Sequence, residues 1–158
     1  MDVEVVDFRD EFAIAFASLN YQWIESEFSV EKHDREILDD PRKWVIEPGG
    51  QIFFALVDGT AAGTVALIPS ANGVFELTKM AVSPEFRGQG IGDRLMEKCV
   101  KFAAETGAKS IWLESHTKLA PAISLYRKYG FVETPPDPNS LYQRADIRME
   151  LAIERSAV

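Results

Sequence analysis

Arg87-Gly88-Gln89-Gly90-Ile91-Gly92 follows an apolar strand pattern over residues 74–82 and opens an amphipathic helix pattern, with apolar residues at Ile91, Leu95, Cys99, Phe102 and Ala103. Glycines at every second position let the backbone curl tightly, since without a Cβ they enter left-handed conformations freely. The first N–H groups of the following helix lack intrahelical acceptors, and the macrodipole places positive potential there. With the Arg87 guanidinium beside them, these amides suit phosphate oxygens, and a ligand carrying a pyrophosphate is the expected guest.

Upstream of this turn, residues 52–57, 62–68 and 74–82 are apolar runs separated by Asp58-Gly59 and Asn72-Gly73. Such dipeptides between apolar runs signal hairpins, so three consecutive antiparallel strands are expected. Earlier still, residues 3–8 suit a short strand, and residues 11–19 and 32–46 carry helix-spaced apolar residues, the latter broken by Pro41. Downstream, Gly107 suits a left-handed helix cap. Residues 110–114 then read as a buried strand reached by a helical crossover, and therefore parallel to its predecessor. A second helix over residues 120–129 ends at Gly130, Phe131-Val132 resumes an extended course, and a loop stiffened by Pro135, Pro136 and Pro138 precedes a last strand. There Ile147, Met149, Leu151 and Ile153 alternate with polar residues.

The chain of 158 residues, 46% hydrophobic, suits one domain over residues 1–158. It opens without a basic or apolar leader and holds no apolar stretch of membrane-spanning length, so a soluble cytoplasmic protein is expected. Cys99 is the only cysteine, which rules out a disulfide within the chain and a cysteine-clustered zinc site; no metal is expected, and Cys99 reads as a small buried hydrophobe. A net charge of −8 argues against nucleic acid as a partner. Residues 1–40 hold twelve acidic side chains against three basic ones. They form either solvated helix faces or a field that draws in a cationic substrate.

Three phosphate-binding arrangements use a glycine turn after a strand. A P-loop requires Lys and then Ser or Thr after its last glycine, whereas Asp93 follows Gly92. A dinucleotide fold requires Gly-x-Gly-x-x-Gly directly after a parallel strand; here the glycines are evenly spaced, a turn at residues 83–86 intervenes, and hairpin-linked strands precede it. The third matches. Glu76-Leu77-Thr78-Lys79-Met80-Ala81-Val82-Ser83-Pro84-Glu85-Phe86-Arg87-Gly88-Gln89-Gly90-Ile91-Gly92-Asp93-Arg94-Leu95-Met96 resembles motif A of the GNAT superfamily of acetyl-CoA dependent N-acetyltransferases, with Arg87, Gly90 and Gly92 at its defining positions. Ala122-Ile123-Ser124-Leu125-Tyr126-Arg127-Lys128-Tyr129-Gly130-Phe131 resembles the family's second signature, and the order of strands and helices agrees over nearly the whole chain.

The resemblance implies an α+β fold: a mixed, mostly antiparallel central sheet flanked by helices, with a splayed parallel strand pair binding acetyl-CoA as cosubstrate. It implies main-chain contacts from Met80, Ala81 and Val82 to the pantetheine arm, with the Met80 N–H as oxyanion donor, and diphosphate contacts from Arg87, Gly88, Gln89, Gly90, Ile91 and Gly92. Tyr126 matches the general acid that protonates the thiolate, the alternative being a core aromatic on an amphipathic helix, with Tyr129 on nearly the same face as its understudy. Glu76 matches the general base of some members, the alternative being an ion-paired strand acid. Simple alternation places it on one strand face with Thr78, Met80 and Val82. The family's pantetheine-binding Asn is replaced by Leu119, so that contact is either lost or moved to Ser115, His116 or Thr117. Lys118, Arg127 and Lys128 are candidates for the adenosine 3′-phosphate, or else a solvated face.

By the same resemblance, the acceptor pocket falls to residues 20–45 and 135–146, where Tyr21, Trp23, Phe28, Trp44, Tyr142 and Arg144 are candidates for either core or ligand cage. The acidic N-terminal half would favour a cationic amine of a small molecule or peptide; Arg144 would suit a carboxylate on an amino-acid acceptor. Self-association through the late strands is a further implication of the family. Two functions remain open: acetyl transfer to an amine, and a coenzyme A sensing or interaction module without efficient transfer.

Overall fold

The turns decide the sheet. In this computed structural model, which describes residues 2–154, Asp58 and Gly59 take φ of 50° and 81°, and Asn72 and Gly73 take 60° and 76°. Left-handed Asp-Gly and Asn-Gly pairs match the twist of hairpin strands. They join β2 (Gln51–Val57), β3 (Thr60–Pro69) and β4 (Val74–Val82) into an antiparallel meander, as the sequence predicts. Ahead of it, β1 (Val3–Asp7) pairs antiparallel with β2, and α1 (Ala13–Glu27) and α2 (Lys32–Asp39) lie between the two strands. Pro41 lacks an N–H and clashes with the turn before it, so the chain after α2 restarts as a short π-type turn, Arg42–Ile46.

The helix α1 outruns its expected end at residue 19. Phe16, Asn20 and Ile24, four apart and fully buried, share its inner face. Asn20 interrupts the apolar spacing but is satisfied in place, donating to Phe16 O at 3.0 Å and accepting from Trp23 Nε1 at 3.1 Å.

After β4 come α3 (Ile91–Glu105), β5 (Ser110–Ser115), α4 (Ala120–Lys128), β6 (Val132–Thr134) and β7 (Ile147–Ala152). The sheet runs β1-β2-β3-β4-β5-β7-β6, and β4–β5 is its parallel pair. The fold is α+β, a mostly antiparallel sheet flanked by helices. On one face Phe53, Val65, Leu67 and Leu77 pack with Ile91, Leu95, Cys99 and Tyr126 of α3 and α4. On the other, Ile52, Phe54 and Ala66 meet Phe16, Ile24, Ile37 and Leu38 of α1 and α2. Burying a Phe side chain contributes about 1.5–3 kcal/mol, so Phe53 and Phe54 tie one strand to both layers.

Two irregularities create the site. Parallel pairing joins only Val74, Glu76 and the residue between them to Ser110–Trp112, and beyond that rung β4 and β5 diverge. On the opposite edge of β4, Thr78 faces Ala66 and Ala81 faces Thr64, so Lys79 and Met80 together oppose Val65. This is a β-bulge, and Lys79 enters it with φ 55°. The extra residue shifts the alternation. Glu76, Thr78, Lys79 and Ala81 face α1 and α2, while Met80 and Val82 turn to the α3 side and pack on its core. The expectation that Glu76 shares a face with Met80 and Val82 is thereby corrected.

Candidate active site

The fork between β4 and β5 opens into a cleft of about 400 Å³ that passes from one face of the sheet to the other. On the α3–α4 side it is lined by Arg87, Leu119, Ala122 and Tyr126; on the α1–α2 side by Trp23, Phe28, Tyr142 and Arg144; Glu76, Met80, Ala81, Val82, Glu114 and Ser115 lie along the fork itself. The predicted residues Glu76, Met80, Ala81, Val82, Arg87, Ser115 and Tyr126 therefore come together in one cavity.

Gly88, Gln89, Gly90, Ile91 and Gly92 do not line that cavity, and what they offer is backbone. Gly88 and Gly90 take φ of 75° and 80°, with Gly90 as the residue preceding α3. Arg94 N–H to Gly90 O, at 3.1 Å, is the first bond across the helix entry. The N–H groups of residues 88–93 find no acceptor among the described residues, which leaves a run of donors at a helix N-terminus. Gly92 serves packing: a Cβ there would stand 3.1 Å from Leu125 Cδ2, so its absence lets α3 and α4 approach.

Glu76 sits on the last paired rung, opposite Trp112. Burial pushes its carboxyl pKa up to about 7; Lys79 opposes that rise and Glu114 adds to it. Glu114 forms no ion pair among the described residues. A smaller cavity of about 200 Å³ adjoins on the α2 side, lined by Glu76, Glu114, Trp112, His33, Asp137 and Tyr142. Across the sheet, Tyr126 is 8% exposed against Phe131, and burial raises its pKa to about 12, so it holds its proton through the neutral range. A carboxyl group with a raised pKa and a phenol that keeps its proton thus stand on opposite faces of one opening.

Several sequence candidates lie elsewhere. The Tyr129 hydroxyl turns to α3, donating to Asp93 Oδ1 at 3.0 Å, and is not in the cleft. Tyr21 donates to Asp39 at 2.7 Å, and Trp44 packs edge-on to His33 in the α1–α2 core. Lys118 stacks 4.0 Å from the Phe28 ring centroid beside Glu27, Arg127 lies 3.9 Å from Glu133, and Lys128 bonds Asp93, so each of these cations is engaged within the protein. Thr117 is held by Asp146 through backbone and hydroxyl, both at 2.8 Å, and His116 lies 3.3 Å from the same carboxylate, which leaves Ser115 as the unengaged side chain of that trio.

Arg144 is likewise committed. Its guanidinium forks onto Asp34 with two bonds of 2.7 Å, and Lys79 Nζ donates to the same carboxylate at 2.8 Å and to the Tyr142 hydroxyl at 2.8 Å. Asp34 is fully buried. Burial alone would raise its pKa, and Arg144 with Lys79 instead hold it well below the usual carboxylate range. No local pattern marks this cluster, because its members are 45 and 110 residues apart in the chain.

Comparison with known proteins agrees with this geometry. Residues 17–131 match the acetyltransferase (GNAT) family. An uncharacterized N-acetyltransferase of Schizosaccharomyces pombe is 31% identical over 120 residues, covering 72% of this chain and 74% of that protein. The streptothricin acetyltransferase of Streptomyces lavendulae is 42% identical over 87 residues, which span 54% of this chain and 46% of that protein. An acetyltransferase of GNAT family from Staphylococcus aureus superposes with a TM-score of 0.87 at 19% identity, over 97% of this chain and 100% of its own. The PaiA N-acetyltransferase of Thermoplasma acidophilum, solved in complex with coenzyme A, gives 0.77 at 21% identity, over 96% of this chain and 99% of its own. The chain belongs to the acetyltransferase (GNAT) family and is an acyltransferase.

Proposed function

We propose that the protein moves an acetyl group from acetyl-CoA to a primary amine of a small molecule or peptide, directly, within a ternary complex in the cytoplasm. One observation carries this reading: the cleft runs through the sheet with Glu76 facing one side and Tyr126 the other. Acetyl-CoA supplies the acetyl group: its carbonyl carbon bonds to the amine nitrogen, its C–S bond breaks, and coenzyme A departs as the thiolate. The free N–H groups of residues 88–93 and the Arg87 guanidinium suit its diphosphate. The diverging edge of β4 at Met80, Ala81 and Val82, with Ser115 opposite, suits the pantetheine arm. The Met80 N–H serves as donor to the developing oxyanion.

Glu76 takes the proton that an incoming ammonium must lose, directly or through water, and a pKa of about 7 suits that task at neutral pH. Tyr126 gives its phenolic proton to the departing sulfur. Glu76 and Glu114 line the cavity on the α2 side and form no ion pair among the described residues, which favours an acceptor that arrives positively charged. Relatives named N-acetyltransferases support nitrogen as the acceptor atom.

The test is amine-dependent thiol release from acetyl-CoA across a broad panel of amines, with coenzyme binding followed by calorimetry. Release with at least one amine is the expected result. Tight binding of coenzyme A with no release from any amine supports the sensing module instead.

A further inference from the structure

Lys79 stands at the centre of the site, yet no step of the transfer uses it. It is 5% exposed, on the strand that forms the cofactor edge, and it takes a left-handed φ of 55° that few residues other than glycine adopt. Its ammonium donates to Asp34 Oδ1 and to the Tyr142 hydroxyl, each at 2.8 Å, and lies 4.5 Å from the Tyr142 ring centroid. Asp34 in turn binds Arg144 and accepts from the Glu31 N–H at 2.8 Å, and Glu31 accepts from the Gln143 N–H at 2.8 Å. One cation thus joins three elements distant in the chain: the β4 bulge, the start of α2, and the loop between β6 and β7. An apolar side chain would fill the same space without the desolvation cost of a buried ion. What the charge adds is a fixed geometry.

We propose that Lys79 is a positioning residue of the acetyl transfer, its ammonium fastening the β4 bulge to α2 and to the Tyr142–Arg144 loop, so that the amide edge and the acceptor wall keep one register. Met80 follows Lys79 directly, so the set of the bulge aims the Met80 N–H. The loop that Lys79 holds forms one wall of the opening through which an amine reaches Glu76. The inference rests on the acetyl-transfer reading of the site.

Lys79→Met tests it, keeping side-chain reach while removing the charge; Asp34 retains both Arg144 bonds and the Glu31 N–H, so no carboxylate is stranded. Misplacement of reacting groups by about 1 Å costs on the order of 100-fold, and kcat should fall ~10–100-fold, with KM for acetyl-CoA changing by less than about threefold. The acid limb of kcat/KM should move to higher pH. Lys79 favours the ionised form of Glu76 and Glu114 opposes it; Asp34 and Arg144 stay paired with each other, and His33, Asp137 and Tyr142, which share the adjoining cavity with Glu76, are not changed by the substitution. Backbone amide resonances of Met80 and Ala81 should shift in the unliganded protein while those of Gly88 and Gly90 stay fixed.

Tyr142→Phe, which removes one acceptor and keeps the ring, should move the same quantities less far, and it carries the test if Lys79→Met does not fold. Unchanged kcat, acid limb and Met80 resonance in a folded variant overturn the proposal. Should the wild-type protein release no thiol with any amine, the functional reading fails, and the amide resonances still decide the role of Lys79.

Discussion

In the proposed transfer a carboxylate takes a proton near neutrality, and burial at the fork gives Glu76 the raised pKa that this role requires. Glu76→Gln should lower kcat/KM for the amine by roughly 100-fold and abolish the acid limb near pH 7. Stability should respond in the opposite sense. The folded pKa, about 7, lies above the ordinary 4.5, so the folded state holds this proton more tightly than the unfolded chain. Stability from this group is present at low pH and lost as pH rises through 7, by about 2 kcal/mol after allowance for partial exposure. Thermal melts should therefore find the Gln variant more stable than wild type at pH 8, with the difference closing by pH 5. In the same proposed transfer Tyr126 has to keep its proton until the thiolate departs, and burial, which raises its pKa to about 12, suits it to that role. Tyr126→Phe should reduce kcat ~10–100-fold while calorimetry finds coenzyme A affinity unchanged. Asp34 is structural: removing it leaves the buried Lys79 ammonium without its counter-charge and the half-buried Arg144 with Glu31 alone. Asp34→Ala should cost about 3–5 kcal/mol in urea denaturation, well above the cost of Lys79→Met.

The glycine turn works because β3 lets α3 come close. A Cβ on Gly63 would stand 2.8 Å from Ile91 Cγ2, 3.1 Å from Leu95 Cδ1 and 3.2 Å from Ala81 O. Gly63→Ala should destabilise by about 1–3 kcal/mol through overpacking. It should also weaken coenzyme A binding, because the first turn of α3 is what moves; equilibrium titration alongside a melting curve checks both. Elements whose signals are local were legible in the sequence. The Asp58-Gly59 and Asn72-Gly73 turns fixed the meander, Gly107 and Gly130 marked the ends of α3 and α4 with φ of 76° and 99°, and strict alternation identified β7. Two features were hidden for physical reasons. Asn20 breaks the apolar face of α1 and is tolerated because its amide is bonded within the helix. The β4 bulge rests on a lysine in a left-handed conformation, and its support comes from Asp34 and Tyr142, 45 and 63 residues away. Local propensity carries no trace of either partner, so simple alternation fails along β4 at the bulge that orients the site.

Charge over the molecule as a whole acts on the two substrates in opposite senses. Much of the acid in residues 1–40 is engaged within the protein: Asp34 and Glu31 with Arg144, Asp10 with Arg42, Asp39 with Tyr21, Glu36 with His33. The net charge of −8 still sets the field felt at a distance, while Arg87 and the amides of residues 88–93 attract an anion only on close approach. Acetyl-CoA, a polyanion, must enter against that field; a cationic amine, the acceptor proposed for Glu76 and Glu114, would travel with it. Added salt screens both effects, since the Debye length falls from about 30 Å at 0.01 M to about 10 Å at 0.1 M. Stopped-flow measurement should therefore find the association rate constant of acetyl-CoA rising with potassium chloride over that range and that of a cationic amine falling, with dissociation rates changing less. A neutral analogue of the amine separates this field effect from general salt effects and should show no trend. If the rate for acetyl-CoA instead fell with salt, the positive potential at the entry to α3 would outweigh the net charge, and the diphosphate would be steered to its site from solution.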